Sequence, residues 1–349
     1  MRISSAVSGL PPHYYSQPVL IEAFRKYWGP RLERFTVLEK LHAAAQVDGR
    51  YLALPLEKYP LKSWGEANNY WIEATLKLGQ KAVCEAMTAA NVTPNDIGAF
   101  FFVSVTGICS PSIEGRLINK MNLNPNMKRI PIFGLGCVAG AAGIARAADY
   151  VKAFPKQAAL LLSVELCSLT VQPDDLSAAN LISTGLFGDG GAAVVVSGSE
   201  CGGAPGPEII ATRSTFYPNT EDVMGWDISE KGFQIILSRE VPNVIVENLG
   251  RDADAFLADN GLKRGDITNW VIHTGGPKVL DATETALGLK KGALDLSWKC
   301  LRKTGNLSSS SVLFVLEETM KNHRPEPGSY GILAAMGPGF CSELVLLKW

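Results

Sequence analysis

Residues 91–107, NVTPNDIGAFFFVSVTG, and residues 261–276, GLKRGDITNWVIHTGG, follow one plan. Each opens with turn-forming residues, passes an aspartate (Asp96, Asp266), runs through a short apolar segment and ends in a glycine-containing loop. That is the pattern of a buried strand between turns. The aspartates are 170 positions apart (266 − 96), and the same offset sets Val103 on His273 and Cys137 on Leu307, next to Asn306. Around the latter pair lie two glycine-led helix starts, GLGCVAGAAGIARAADYVK (134–152) and GNLSSSSVLFVLEETMK (305–321). Each half closes on an apolar strand, GAAVVVSG (191–198) and GILAAMGPGFCSELVLLKW (331–349). Shared order, spacing and turn chemistry indicate a duplication: two α/β halves, residues 1–205 and 206–349, dividing in GSECGGAPGP (198–207). Alternating buried strands and helices imply layers, with helices between and outside two central sheets. The repeat is expected to bring Cys137, His273 and Asn306 close to its pseudo-twofold axis.

Composition narrows the function. The 349 residues are 46% hydrophobic and 19% charged, ordinary for a well-buried globular protein. Lys and Arg number 33 against 34 Asp and Glu, so the basic footprint of a nucleic-acid-binding protein is absent. The N-terminus carries no signal-peptide pattern. The most apolar stretch, Ala158–Val171, is too short for a membrane span and is interrupted by Glu165. A cytoplasmic protein without a membrane span is expected. The seven cysteines are dispersed, without a CxxC pair, and the four histidines are scattered, so thiols and no metal site are expected.

One thiol is placed for chemistry. Cys137 follows Gly134-Leu135-Gly136 and begins a helix of small residues. The positive potential at a helix N-terminus favours a thiolate, and its free N–H groups can hold an oxyanion. A nearby imidazole would complete a thiolate–imidazolium pair. His273 leaves its strand into Thr274-Gly275-Gly276-Pro277, a turn that permits close approach. Asn306 stands at a helix start, where it can cap the backbone or donate its amide to a carbonyl oxygen. A thiolate that accepts an acyl group, beside His and Asn donors that stabilise an enolate, suits decarboxylative condensation. That chemistry needs no catalytic carboxylate.

With these residues in view, the sequence resembles the chalcone/stilbene synthase superfamily of type III polyketide synthases over nearly its whole length. The resemblance rests on GLGCVAGAAG around Cys137, LFGDGGAAVVV (186–196), HTGGPKVLD (273–281), GNLSSSSVLFVLEE (305–318) and AMGPGF (335–340). It implies an α/β thiolase fold, the duplicated halves forming a five-layered αβαβα core. It also implies a homodimer that takes acyl-CoA and malonyl-CoA as substrates and uses no cofactor. By the same resemblance Cys137 is the nucleophile, His273 and Asn306 bind the thioester carbonyl, and Phe187 and Ile235 are gatekeepers. Val105, Cys167, Thr170, Ser183, Met224, Ser308 and Gly337 fall on cavity positions. Lys40, Arg50 and Lys278 are what remains of a CoA-binding cluster, with Ala44 at a usually basic site.

Several positions depart from the plant pattern: His273-Thr274 for His-Pro, Ile235 for a second gatekeeper Phe, and Val105 and Cys167 for threonines. LHAAAQVDGRYLALPLEKY, MGWDI and VELCSLT are closer to bacterial long-chain alkylpyrone synthases. The resemblance thus implies a fatty acyl-CoA starter extended with malonyl-CoA and closed to an alkyl-α-pyrone or an alkylresorcinol. Two other readings compete with it. One is a β-ketoacyl-ACP synthase III-like enzyme making a single condensation; the other is a non-catalytic thiolase-fold scaffold.

Overall fold

A computed structural model describes the whole chain, Met1–Trp349. The first half runs from β1 (Arg2–Gly9) to a small ribbon of β2 (His13–Ser16) and β3 (Gly49–Leu52), which encloses α1 (Gln17–Trp28) and α2 (Thr36–Ala44). It continues through α3 (Trp64–Ala90), β4 (Ile97–Val103), α4 (Ile113–Met121), β5 (Lys128–Ile132), α5 (Ala139–Ala153), β6 (Ala158–Leu166), α6 (Ala178–Leu186) and β7 (Asp189–Ser197). The second half holds β8 (Glu208–Phe216), a ribbon of β9 (Met224–Ser229) and β10 (Gly232–Leu237), α7 (Val241–Asp259), β11 (Ile267–Ile272) and α8 (Pro277–Leu287). It closes with α9 (Asp295–Thr304), α10 (Ser311–Asn322), β12 (Tyr330–Gly337) and β13 (Cys341–Lys348).

The quoted repeat is built alike in both places. The Asp96 carboxylate accepts the N–H of Thr93 at 2.7 Å, and the Asp266 carboxylate accepts that of Lys263 at 2.8 Å. Each turn feeds a strand that pairs parallel with a later one, β4 with β6 and β11 with β12. β6 and β12 then pair antiparallel with the strands that follow them, β7 and β13. Strand order is β5-β4-β6-β7-β1 in one half and β11-β12-β13-β8 in the other.

Two details differ from the sequence reading. The short turns that open α5 and α10 begin at Gly136 and Ser308, an offset of 172 (308 − 136). Cys137 therefore corresponds to Ser309 and not to Leu307: the second half has two more residues between its strand and its helix. Nor are there two separate sheets. Arg2 pairs with Glu208, flanked by Ile3 N–H to Pro207 O (2.9 Å) and Ile209 N–H to Met1 O (3.0 Å), so the edges join in one nine-stranded sheet. The strands diverge beyond this seam because α5 and α10 lie between the two arms.

That intermediate layer is the reason for the small residues of 139–148. α5 is buried nearly all round, and its glycines sit where no side chain fits. A Cβ on Gly143 would lie 2.6 Å from Leu161, and one on Gly140 would lie 2.1 Å from the Ser309 carbonyl oxygen. Every residue of β6 and β7 is buried, as expected of strands covered on both faces. Outside, α3 covers β1, β6 and β7, while α7 and α8 cover the second arm. The result is the five-layered thiolase arrangement. No helix is long and apolar enough to cross a membrane.

Replacing Gly140 with Ala forces the Ser309 turn away from α5. We expect a loss of about 2–3 kcal/mol from overpacking, read as a lower urea midpoint with an unchanged slope.

Candidate active site

Cys137 occupies the turn Gly136–Val138 ahead of α5. Gly134 (φ 91°) and Gly136 (φ 53°) provide left-handed backbone there, and a Cβ on Gly136 would meet the Pro338 ring at 2.6 Å. The GLGC and MGPG segments, some two hundred positions apart, are therefore packed on each other. Gly337 abuts the same turn, its own Cβ position lying 2.6 Å from the Val138 nitrogen.

His273 follows β11, its N–H donating to Ala334 O (3.0 Å). Its Nδ1 is buried without a partner. Asn306 is paired with Phe187 across the two halves: its N–H donates to Leu186 O (2.9 Å), and Gly188 N–H donates to its carbonyl (3.0 Å). Its side-chain Oδ1 accepts Ser308 N–H (2.8 Å), while Nδ2 reaches toward Gly275 O (3.3 Å) in the loop after His273. The bond at Oδ1 turns the amide nitrogen toward the histidine loop. The Ser308 hydroxyl lies 3.6 Å from the Cys137 sulfur.

Cys137, His273 and Asn306 line one cavity of about 250 Å³ with Met224 and Phe187, and its lining includes the exposed cations Lys278 and Arg239. A second cavity of about 620 Å³ holds Cys167, Thr170, Ser183 and Ile235. Phe187 is the one residue common to both linings. Val105 is buried outside both, its N–H bonded to Glu165. Lys40 projects from α2 into solvent near the smaller cavity's Leu41 and Ala44. Arg50 is in a different place from Lys40 and Lys278: it is buried in the larger cavity's wall and bonded to the Phe187 carbonyl, whereas both lysines are exposed.

The electrostatics also depart from the expected ion pair. Burial pushes the Cys137 thiol up to about 12, against the hydrogen bonds of Ser308 and Asn306. Burial holds His273 down at about 4. Withdrawal from water is the leading cause in both, and it favours the neutral thiol and the neutral imidazole. A neutral imidazole can still donate a hydrogen bond, as an oxyanion site requires.

The sequence reading assigned no role to Glu165. Its carboxylate ends β6 beneath the site and accepts bonds from Thr106 Oγ1 (2.9 Å), Val105 N–H (3.1 Å) and the Ser309 hydroxyl. Burial raises it to about 7. Its signal in the sequence was the single charge in an apolar strand, a break that needs buried partners.

Thiol, imidazole and amide in one cavity wall, with exposed cations in the same lining, are equipment for acyl transfer from a thioester. The chain belongs to the chalcone and stilbene synthases: the N-terminal domain of that family matches residues 55–200 and the C-terminal domain residues 208–349. Among curated relatives, the 1,3,6,8-tetrahydroxynaphthalene synthase of Streptomyces peucetius subsp. caesius is 47% identical, covering 99% of this chain and 93% of that protein. The putative chalcone synthase of Bacillus subtilis is 38% identical over 99% of this chain and 98% of its own length. The crystal structure of 1,3,6,8-tetrahydroxynaphthalene synthase from Streptomyces coelicolor, a bacterial type III polyketide synthase, superposes with a TM-score of 0.95 at 30% identity, covering 100% of this chain and 99% of that one. This is a type III polyketide synthase, an acyltransferase-type enzyme.

A neutral buried thiol has a characteristic reactivity. Alkylation of Cys137 by iodoacetamide, followed by peptide mass spectrometry, should accelerate continuously from about pH 7 to about pH 10. A plateau near neutrality would instead reveal a preformed thiolate.

Proposed function

We propose that Cys137 accepts a long-chain fatty acyl group from CoA, that malonyl-CoA extends it, and that the product closes to an alkyl-α-pyrone. The halves 1–205 and 206–349 would contribute the nucleophile and the His–Asn pair respectively. His273 takes the thiol proton as the sulfur attacks the thioester carbonyl, and the departing CoA thiolate recovers it. Malonyl-CoA then enters the vacated cavity. Its thioester oxygen receives hydrogen bonds from His273 and the Asn306 amide, carbon dioxide leaves, and the resulting enolate carbon attacks the Cys137-bound acyl carbonyl, expelling the Cys137 thiolate and leaving a β-ketoacyl-CoA that acylates Cys137 again for the next extension. Neutral donors suffice for the decarboxylation, which suits the depressed basicity of His273.

The observation that carries the fatty acyl starter is the larger cavity beyond Phe187. Its lining includes Leu20, Phe24 and Trp28 of α1 together with Leu61, Trp64 and Ile235. Each methylene buried there contributes up to about 0.8 kcal/mol, so KM should fall as the starter lengthens. Exposed Ile108 and Phe133 offer apolar surface for the expected homodimer.

A second reading is favoured by the 47% identical relative, whose named product is a hydroxylated naphthalene. On that reading all ring carbons derive from malonyl units and no long starter is needed. Chromatography with mass spectrometry of products made from lauroyl-CoA plus malonyl-CoA, and from malonyl-CoA alone, separates the two. We expect lauroyl-containing pyrones from the first mixture. A naphthalene from malonyl-CoA alone, with no lauroyl-containing product, would establish the second reading. A single β-keto product would defeat both. Cys137→Ala should abolish acyl-enzyme formation and lower product formation by at least about a thousandfold.

A further inference from the structure

Arg50 is the one buried charged side chain in the larger cavity's wall, and no counter-ion contacts it. Arg50 is 4% exposed, and its one hydrogen bond runs from Nη1 to the Phe187 carbonyl at 2.8 Å. Its Nε is enclosed with no partner, and it takes part in no ion pair. Burial brings it down to about 10, so it remains a cation at neutral pH.

Asp189 is the carboxylate whose field reaches it, and Asp189 is already occupied. Its oxygens accept Ala53 N–H at 2.6 Å, Ser168 N–H at 2.8 Å and the Ser168 hydroxyl at 2.5 Å. With the Ser168 proton committed to Asp189, the Tyr59 hydroxyl, 2.6 Å from Ser168 Oγ, must donate its own proton to Ser168. The Asp189 oxygens are thus hydrogen-bonded elsewhere: the carboxylate acts on the guanidinium at a distance and none of its oxygens bonds it. An enclosed charge of this kind is costly unless an anion meets it. The stem is held in place, since the position of a Cβ on Gly305 is only 3.3 Å from Arg50 Cγ and Cδ. The Phe187 bond sets the head group beside the partition between the two cavities.

On the reading that this cavity receives the acyl chain, an alkyl starter offers Arg50 nothing. Each condensation, however, adds a β-keto unit, and from the second one on the chain holds a β-diketone whose intervening methylene is acidic. Loss of that proton to solvent leaves an enolate with charge shared over two oxygens, a geometry that a guanidinium fork can meet. We propose that Arg50 is the subsite for the enolate oxygens of the growing poly-β-keto chain, holding the chain in enolised form beside Phe187. It would thus be a specificity-determining residue for the oxygenated part of the chain, while the alkyl tail meets the apolar part of the lining.

The inference rests on the cavity reading, and one experiment tests the two separately. A long-chain alkyl β-diketone and an alkyl monoketone of equal length are titrated into wild-type protein, Arg50→Met and Arg50→Lys. Binding is followed by ultraviolet absorbance of the enolate and by protection of Cys137 from alkylation. The wild type should bind the diketone at least about tenfold more tightly and show enolate absorbance below the pH at which the free diketone ionises. Arg50→Met should bind both ligands equally, and Arg50→Lys should keep part of the preference. Equal binding by the wild type, or a preference that survives in Arg50→Met, overturns the Arg50 assignment while leaving the cavity reading intact. If neither ligand binds the wild type, the cavity reading itself fails. Should Arg50→Met not fold, the wild-type enolate signature decides the matter alone.

Discussion

The close approach of α5 to the Ser308–Ser310 turn is the constraint from which the rest of the molecule follows. Where Gly140 has only a hydrogen, a methyl group would reach within 2.1 Å of the Ser309 carbonyl. Two helix starts from different halves can meet at that distance only without side chains between them. Their meeting places the Cys137 sulfur 3.6 Å from the Ser308 hydroxyl and sets both helices between the arms of the sheet. The small residues of α5 thus serve packing and chemistry together: they bury the helix, and the burial encloses the nucleophile.

Enclosure has an electrostatic consequence. Cys137, His273, Glu165 and Asp189 are all shifted toward their neutral forms, with burial the leading cause in each case. The site is therefore better described as a set of neutral donors and a thiol than as a stored ion pair. Charge appears in it when a thioester reacts. The backbone bridge between Phe187 and Asn306 links this chemistry to the larger cavity, since Phe187, which lines both cavities, shares a strand-like pairing with Asn306. The Arg50 bond to the Phe187 carbonyl braces the same junction from the other side.

Much of this was legible beforehand because it is written in local pattern. The turn aspartates Asp96 and Asp266 announced the duplication, and they make equivalent bonds in the structure. A glycine-led helix start was read at Cys137, and Gly134 and Gly136 supply left-handed backbone ahead of it. Where the reading failed, the missing information was three-dimensional. The two-residue slip between the halves cannot be seen when helix starts are aligned by a single offset. The joining of the sheets depends on Met1–Ile3 lying along the start of β8, a contact between distant segments. Arg50 looked like a cation for a CoA phosphate because its depth is a property of neighbours such as Gly188, Gly305 and Phe187, not of the residues flanking it.

By itself, then, the sequence determined the repeated α/β plan, the buried strands, and the three residue types suited to acyl transfer, because periodicity, turn chemistry and helix starts are short-range properties of the chain. Only the tertiary structure decided the protonation of the thiol and imidazole, the division of space at Phe187, and the enclosure of Arg50 and Glu165. Those depend on how much water is excluded from each group, and that exclusion is produced by segments far apart in the chain packing against one another.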